Sequence, residues 1–246
     1  MNQNEVALVT GGNKGIGHEI VRQLAARGLT VYLGARNPAL GARAAEDLAG
    51  DVRFVQLDVT DVESVATAAK QVEADSGRLD VLVNNAGIVS EWGTAVADIT
   101  AEQVRTAYDV NVFGVVAVIN AFVPLLRRSP NARIVNMSSG LGSVNLLSEL
   151  DGRLATQGLL AYSSSKAALN ALTLVYASAL RADGIKVNAA TPGLVPTDLN
   201  TQASVPRGDR TVADGAAVPV ALATLPPDGP TGVFRGPQSL ADVAPW

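Results

Sequence analysis

The sequence predicts one α/β domain in which helices cover both faces of a parallel sheet, and three observations predict it. Short strand-like segments recur along the chain, and the first of them, Val6-Ala7-Leu8-Val9, is an uninterrupted apolar run, as a strand buried on both faces requires. Stretches of helical periodicity alternate with them. The first strand also runs straight into Thr10-Gly11-Gly12-Asn13-Lys14-Gly15-Ile16-Gly17, a glycine-rich strand-to-helix turn. With 246 residues, 48% hydrophobic and only 17% charged, the chain can bury one substantial core. No repeat or Pro/Ser-rich linker marks a boundary, so 1–246 reads as a single domain.

Composition excludes several function classes. A formal charge of −4 gives no basic footprint, so no nucleic-acid partner is expected. There is no cysteine, which removes disulfides and thiolate chemistry, and the single histidine, His18, cannot build a metal cluster; no metal is expected. Met1-Asn2-Gln3-Asn4 leads directly into the first strand without a basic-then-apolar leader, which points to a cytoplasmic location. The most apolar run, Val112 to Leu126, is broken by Gly114, Asn120 and Pro124; it reads as a buried helix too short for a membrane span, and no membrane partner is expected.

Taken in order, the first strand spans Val6 to Val9 and the first helix Ile16 to Arg27. Gly11, Gly15 and Gly17 between them let phosphates approach backbone N–H groups at the positive end of that helix. The second strand, Thr30 to Leu33, ends in Gly34-Ala35-Arg36, where a dinucleotide fold meets the adenosine ribose. No acid lies between Thr30 and Arg43, so the carboxylate that reads a 2′-hydroxyl is missing. Arg36, with Lys14 from the glycine turn, instead suits a 2′-phosphate, which favours NADP(H) over NAD(H).

A helix follows at Pro38 to Ala49 and a strand at Val52 to Gln56, leading to Leu57-Asp58-Val59. Asp58 suits either the adenine amino group or a turn. Thr60-Asp61-Val62-Glu63 has the form of a capping box for a helix ending at Ser76. The strand Leu79 to Val83 ends in Asn84-Asn85-Ala86-Gly87, small and amide residues that let a cofactor cross the sheet edge. Thr100-Ala101-Glu102-Gln103 caps a helix predicted to run through Tyr108 and Asn111 to Arg128. Asn111, in apolar surroundings, needs partners, and a backbone bond or a water relay would each serve.

Ala132 to Met137 is the fifth strand, ending in Ser138-Ser139-Gly140-Leu141-Gly142, and Ile185 to Ala190 the sixth. Between them Tyr162-Ser163-Ser164-Ser165-Lys166 sets a phenol and an ammonium on one helix face, where the cation favours the ionised phenol and tunes it for proton transfer. Thr191-Pro192-Gly193-Leu194-Val195-Pro196-Thr197-Asp198 forms a stiff loop at the same edge, and polar residues over 198–214 suit a flap. A helix near Gly215 to Thr224 and a seventh strand near Thr231 to Phe234 complete the domain.

Four ordered motifs, Thr10 to Gly17 as TGxxxGxG, Asn84 to Gly87 as NNAG, Ser139 with Tyr162-xxx-Lys166, and Pro192-Gly193, resemble those of the short-chain dehydrogenase/reductase family over essentially the whole chain. The resemblance implies a Rossmann-type, doubly wound, mainly seven-stranded parallel sheet. It implies that Asn111, Ser139, Tyr162 and Lys166 are catalytic, with Tyr162 as the general acid, Lys166 lowering its pKa and holding the nicotinamide ribose, Ser139 rather than Ser138 orienting the substrate oxygen, and Asn111 holding a water. Gly11, Asn13, Lys14, Gly15, Ile16, Gly17, Arg36, Asp58, Val59, Asn85, Ala86 and Gly87 would bind the cofactor, together with Tyr162, Lys166, Pro192, Gly193, Val195 and Thr197, the Val195 and Thr197 positions gripping the carboxamide.

Within the family, Asn13-Lys14, Thr231-Gly232-Val233-Phe234 and the ending Pro245-Trp246 resemble NADPH-dependent carbonyl reductases. The stretch between Ser139 and Tyr162 is longer than in most members, an insertion near 143–158 that would line the substrate pocket or alter the helix face used for assembly. Monomer, homodimer and tetramer all remain open. The expected activity is NADPH-dependent reduction of a ketone or aldehyde, with a small hydrophobic carbonyl compound or its alcohol as partner. A 3-oxoacyl thioester reductase is the alternative, though the acidic balance disfavours a carrier-protein partner; a non-catalytic NADP(H)-sensing protein would have no need of Ser139, Tyr162 and Lys166. Val89, Trp92, Leu141, Leu146 and Leu194 are the expected apolar lining of the substrate pocket.

Overall fold

A computed structural model describes residues 4–152, 159–203 and 207–246. Its strands are β1 (Val6–Thr10), β2 (Thr30–Ala35), β3 (Val52–Gln56), β4 (Val81–Asn84), β5 (Arg133–Met137), β6 (Lys186–Ala190) and β7 (Phe234–Arg235). They form one seven-stranded sheet in the order β3-β2-β1-β4-β5-β6-β7, with every ladder parallel. The strand order reverses between β1 and β4, and such a switch point opens a crevice at the carboxyl ends of the strands.

The helices are α1 (Gly15–Ala26), α2 (Pro38–Glu46), α3 (Val62–Ser76), α4 (Ala101–Tyr108), α5 (Gly114–Leu126), α6 (Val144–Leu147), α7 (Leu160–Ala179) and α8 (Val212–Ala223). Alternation along β1 assigns them to two layers. Val6 and Leu8 face α3, α5 and α7 through Val65, Phe122 and Leu169, while Ala7 and Val9 face α1 and α8 through Ile20, Leu24 and Val220. Both faces of the sheet are therefore covered, which explains the unbroken apolar strands.

Several expectations are corrected. Asp61, not Thr60, caps α3, accepting from Glu63 N–H at 2.9 Å and Ser64 N–H at 3.3 Å, because Thr60 turns back onto Asp58. Helix α2 stops at Glu46, short of Ala49, and β4 starts at Val81, since Leu79 N–H is taken by the Leu125 carbonyl. The last ladder lies at Phe234–Arg235 because Thr231 Oγ1 and Gly232 N–H already bond Val187. Residues 212–214, expected in a flap, open α8 through a Thr211/Asp214 capping box.

The helix predicted to run to Arg128 is interrupted by a π-turn at Asp109–Phe113 and ends at Leu126. Taken with that turn, Ala101–Leu126 is long and apolar enough to cross a membrane, contrary to the shorter stretch expected. A buried core helix meets the same criterion, and here Val115, Val118, Ile119 and Phe122 pack into the core on the α3/α7 side of the sheet.

Candidate active site

The glycine turn after β1 and the Asn85-Ala86-Gly87 segment after β4 meet at the switch point. Thr10 Oγ1 accepts from both Asn85 N–H and Ala86 N–H at 3.0 Å, while Asn85 Nδ2 donates to the carbonyls of Thr10 (3.0 Å) and Gly11 (3.1 Å). Gly11 (φ +63°) and Gly15 (φ +56°) take left-handed conformations that L side chains rarely adopt. A Cβ on Gly17 would strike Asn85 Nδ2 and Gly11 O, so that position is small to let α1 start against the turn.

These segments border a cavity of about 660 Å³. Gly11, Asn13, Lys14, Gly15, Ile16, Gly17, Arg36, Asp58, Val59, Asn85, Ala86, Gly87 and Thr197, all expected from the sequence to meet the cofactor, line it. A smaller cavity of about 70 Å³ shares the Ile16, Asn85, Gly87 and Leu199 walls and adds Tyr162, Lys166 and Pro192. The cleft thus runs from two exposed cations to the buried tyrosine. Residues and shape fit a dinucleotide: a positive-φ glycine turn at a helix start, cations where a 2′-phosphate would lie, and a phenol at the far end.

Some expected residues stand apart. Gly193 and Val195 line neither cavity; Val195 is buried, and Gly193, at φ +74°, has Pro237 and Arg210 where a side chain would go. Arg210 Nε holds the Pro192 carbonyl at 3.0 Å, and Arg207 Nη2 that of Thr197 at 2.6 Å, so the described parts of the expected flap are stapled down. Of the expected apolar lining, Val89 and Trp92 border the larger cavity, whereas Leu141, in the turn Gly140–Gly142, Leu146, in α6, and Leu194, packed against Gly208, border neither. In the insertion, Ser143 caps α6 and the Trp246 carbonyl accepts from Asn145 N–H at 3.0 Å; 153–158 lie outside the described residues.

At the buried end Ser139 stands beside the Tyr162 phenol and acts to lower its pKa, while its Oγ accepts from Leu141 N–H at 3.1 Å; it borders neither cavity. Ser138 is instead turned into α7, 2.6 Å from Asn170 Oδ1. Lys166 lies under the phenol, its Nζ 5.6 Å from the ring centroid, and donates to the Met137 carbonyl at 2.8 Å. Burial pushes the Tyr162 phenol up to about 12, with Ser139 pulling down and Glu91 adding a further rise. Burial likewise pushes Lys166 down to about 8. The phenol thus lies above its ordinary value rather than below it as expected, and the Lys166 ammonium bonds the Met137 carbonyl.

Asn111 sits in the π-turn, fully buried. Its Oδ1 accepts from Ile88 N–H at 2.9 Å, and its Nδ2 donates to the Ile88 carbonyl at 2.9 Å and Ser165 Oγ at 3.0 Å. The side chain thus ties the loop after β4 to α7. A Cβ on Gly87 would lie 3.2 Å from Asn111 Oδ1 and 3.4 Å from Lys166 Nζ, which brings Gly87, Asn111 and Lys166 into one cluster. Asp58 accepts from Thr60 N–H (3.0 Å) and Oγ1 (2.7 Å), so it is a turn carboxylate that also borders the cleft.

Sequence reasoning missed three groups. Asp198 pairs with Lys14 at 2.9 Å across 184 positions, the Leu199 carbonyl accepts from Trp92 Nε1 at 2.9 Å, and Glu91 accepts from Tyr162 N–H at 2.7 Å. No spacing in the sequence links these partners.

The family model for short chain dehydrogenase matches residues 5–207. Short-chain dehydrogenase/reductase 1 of Saponaria officinalis is 36% identical, the alignment covering 94% of each chain. The (+)-neomenthol dehydrogenase of Arabidopsis thaliana is 34% identical over 96% of this chain and 97% of its own length. Among solved structures, NADPH-bound carbonyl reductase from chicken fatty liver superposes with a TM-score of 0.83 at 29% identity, covering 99% of this chain and all of that one. The chain belongs to the short-chain dehydrogenase/reductase family of oxidoreductases.

Proposed function

We propose that this protein reduces the carbonyl group of a small hydrophobic ketone or aldehyde with NADPH. The observation that carries the reading is Tyr162, with Lys166 beneath its ring and Ser139 beside the phenol, at the inner end of a cleft whose outer end presents Lys14 and Arg36. Two relatives support it, a neomenthol dehydrogenase and an NADPH-bound carbonyl reductase.

Bound NADPH would supply hydride to the carbonyl carbon. Ser139 and Tyr162 are donors placed for the oxygen on which negative charge then develops. The phenol, held neutral by burial, keeps its proton until that oxygen needs it. Lys166 retains its charge at neutral pH and offsets the phenolate left after transfer. Asn111 fixes Ser165 and the Ile88 backbone, so α7 and the loop after β4 stay in register. At the outer end, Arg36 and Lys14 would bracket the 2′-phosphate, with Gly11 to Gly17 presenting backbone N–H groups to the pyrophosphate. Thr197, which borders the larger cavity, would meet the carboxamide. The cytoplasmic setting expected from the sequence belongs to the same proposal.

The test is the loss of NADPH absorbance on adding aryl ketones, aldehydes, quinones and a 3-oxoacyl thioester, with NADH in parallel. Fast NADPH-dependent turnover of simple ketones supports the reading. Turnover confined to the thioester, or tight NADPH binding with none at all, overturns it.

A further inference from the structure

Helix α7 starts without a side-chain cap: Leu159 stands at the N-cap position and offers no acceptor. The first-turn amide of Tyr162 instead donates to Glu91 Oε1 at 2.7 Å, across 71 positions of sequence. Glu91 Oε2 accepts from Ser90 N–H at 3.1 Å and lies 3.2 Å from the Ser90 hydroxyl, which is nearer the Gln103 carbonyl at 2.7 Å. The Glu91 residue is only 1% exposed. A buried carboxylate needs compensation, and its described partners are amides and a hydroxyl rather than a cation. Its seat at the positive end of a 20-residue helix supplies the rest.

We infer that Glu91 is a positioning residue for Tyr162: it ties the first turn of α7 to the loop lining the cleft and sets a negative charge against the phenolate that proton donation creates. The inference rests on the role proposed above for Tyr162. Three groups act on the phenol: Glu91 from the loop after β4, Ser139 from the loop after β5, and Lys166 one turn along α7. Lys166 and Ser139 favour the phenolate, and Glu91 opposes it. Tyr162 is therefore kept as a proton donor over the neutral range, which serves carbonyl reduction. Alcohol oxidation needs the phenolate as base and is moved to higher pH.

Two variants separate charge from geometry. Glu91→Gln keeps the acceptor but removes the charge, whereas Glu91→Asp keeps the charge but shortens the reach to Tyr162 N–H. The phenol of Tyr162 is titrated by ultraviolet absorbance, its signal isolated by subtracting the Tyr162→Phe protein, and pH profiles of ketone reduction and alcohol oxidation are recorded beside it. In Glu91→Gln the titration and both kinetic limbs are expected to move down by about one pH unit, as loss of a like charge across a partly screened interior requires. Glu91→Asp is expected to keep the wild-type pH positions and lose kcat several-fold, with NADPH affinity unchanged. Superimposed Glu91→Gln and wild-type titrations overturn the inference even where ketone turnover is normal. A shifted titration in a protein that turns over no ketone supports the Glu91 coupling while sinking the reductase reading. Should Glu91→Gln not fold, an unaltered kcat in Glu91→Asp overturns the positioning role.

Discussion

Replacing Lys166 by methionine should abolish turnover yet make the protein more stable at neutral pH. The ammonium is 3% exposed and lies between the Tyr162 ring and the Met137 carbonyl. Burial pushes its pKa from 10.5 down to about 8, and at 1.36 kcal/mol per unit that disfavours the charged form in the fold by about 3 kcal/mol. Methionine has similar length and no charge, but leaves the Met137 carbonyl without its donor, which takes back about 1 kcal/mol. The net gain is about 2 kcal/mol, a rise in Tm of roughly 4–8 °C for a chain of this size. The sign depends on pH. Below 8 Lys166 is charged in both folded and unfolded states, so the cost is present in full; between about 8 and 10.5 the folded state has lost the proton and the unfolded state still binds it, so wild-type stability rises with pH. The advantage of Lys166→Met should therefore shrink across that window. Urea unfolding of both proteins at pH 7 and pH 9.5 measures it. A variant less stable than wild type at pH 7, or a difference constant with pH, would refute the burial cost assigned to Lys166.

Further outcomes follow from the same geometry. Tyr162→Phe should lower kcat by at least three orders of magnitude while fluorescence titration finds NADPH affinity nearly unchanged, since only the proton donor is lost. Arg36→Asp should shift the kcat/KM ratio toward NADH, because a phosphate donor becomes an acceptor for the ribose hydroxyl; an unmoved ratio would mean that Arg36 does not read the ribose. Asp198→Asn should release Lys14 from an exposed pair and tighten NADPH binding about two-fold at low salt, with the gain vanishing at high salt.

The fold was legible because the forces that set it are local or periodic. Six strands lie on the stretches read from the sequence and the seventh meets its expected stretch only at Phe234, while the two-layer burial of Val6/Leu8 against Ala7/Val9 follows from alternation alone. Errors fell where a single side chain decides an end. Asp61 outcompeted Thr60 as the cap of α3 because Thr60 found a better partner in Asp58, a choice that propensity cannot make. The π-turn at Asp109–Phe113 is similar: nothing in the helical period announces the extra residue, but buried Asn111 needs bonds to Ile88 and Ser165, and the widened turn lies where they are made.

The site was legible in part for the opposite reason. Tyr162 and Lys166 lie one turn apart on the same helix, so their meeting is visible in the sequence; Glu91 and Tyr162, or Lys14 and Asp198, meet only because β1, β4 and β6 deliver their following loops to one edge of the sheet. Motif reading therefore recovers the groups that do chemistry and misses those that set their electrostatics. The Tyr162 phenol shows the difference: the expectation from the motif is a phenol lowered by Lys166, whereas burial raises it and Glu91, outside any motif, adds to the rise. A tyrosine so held suits reduction, in which the protein must present a proton rather than remove one. Under the inference drawn above, the carboxylate that reinforces this state, Glu91, lies in no motif.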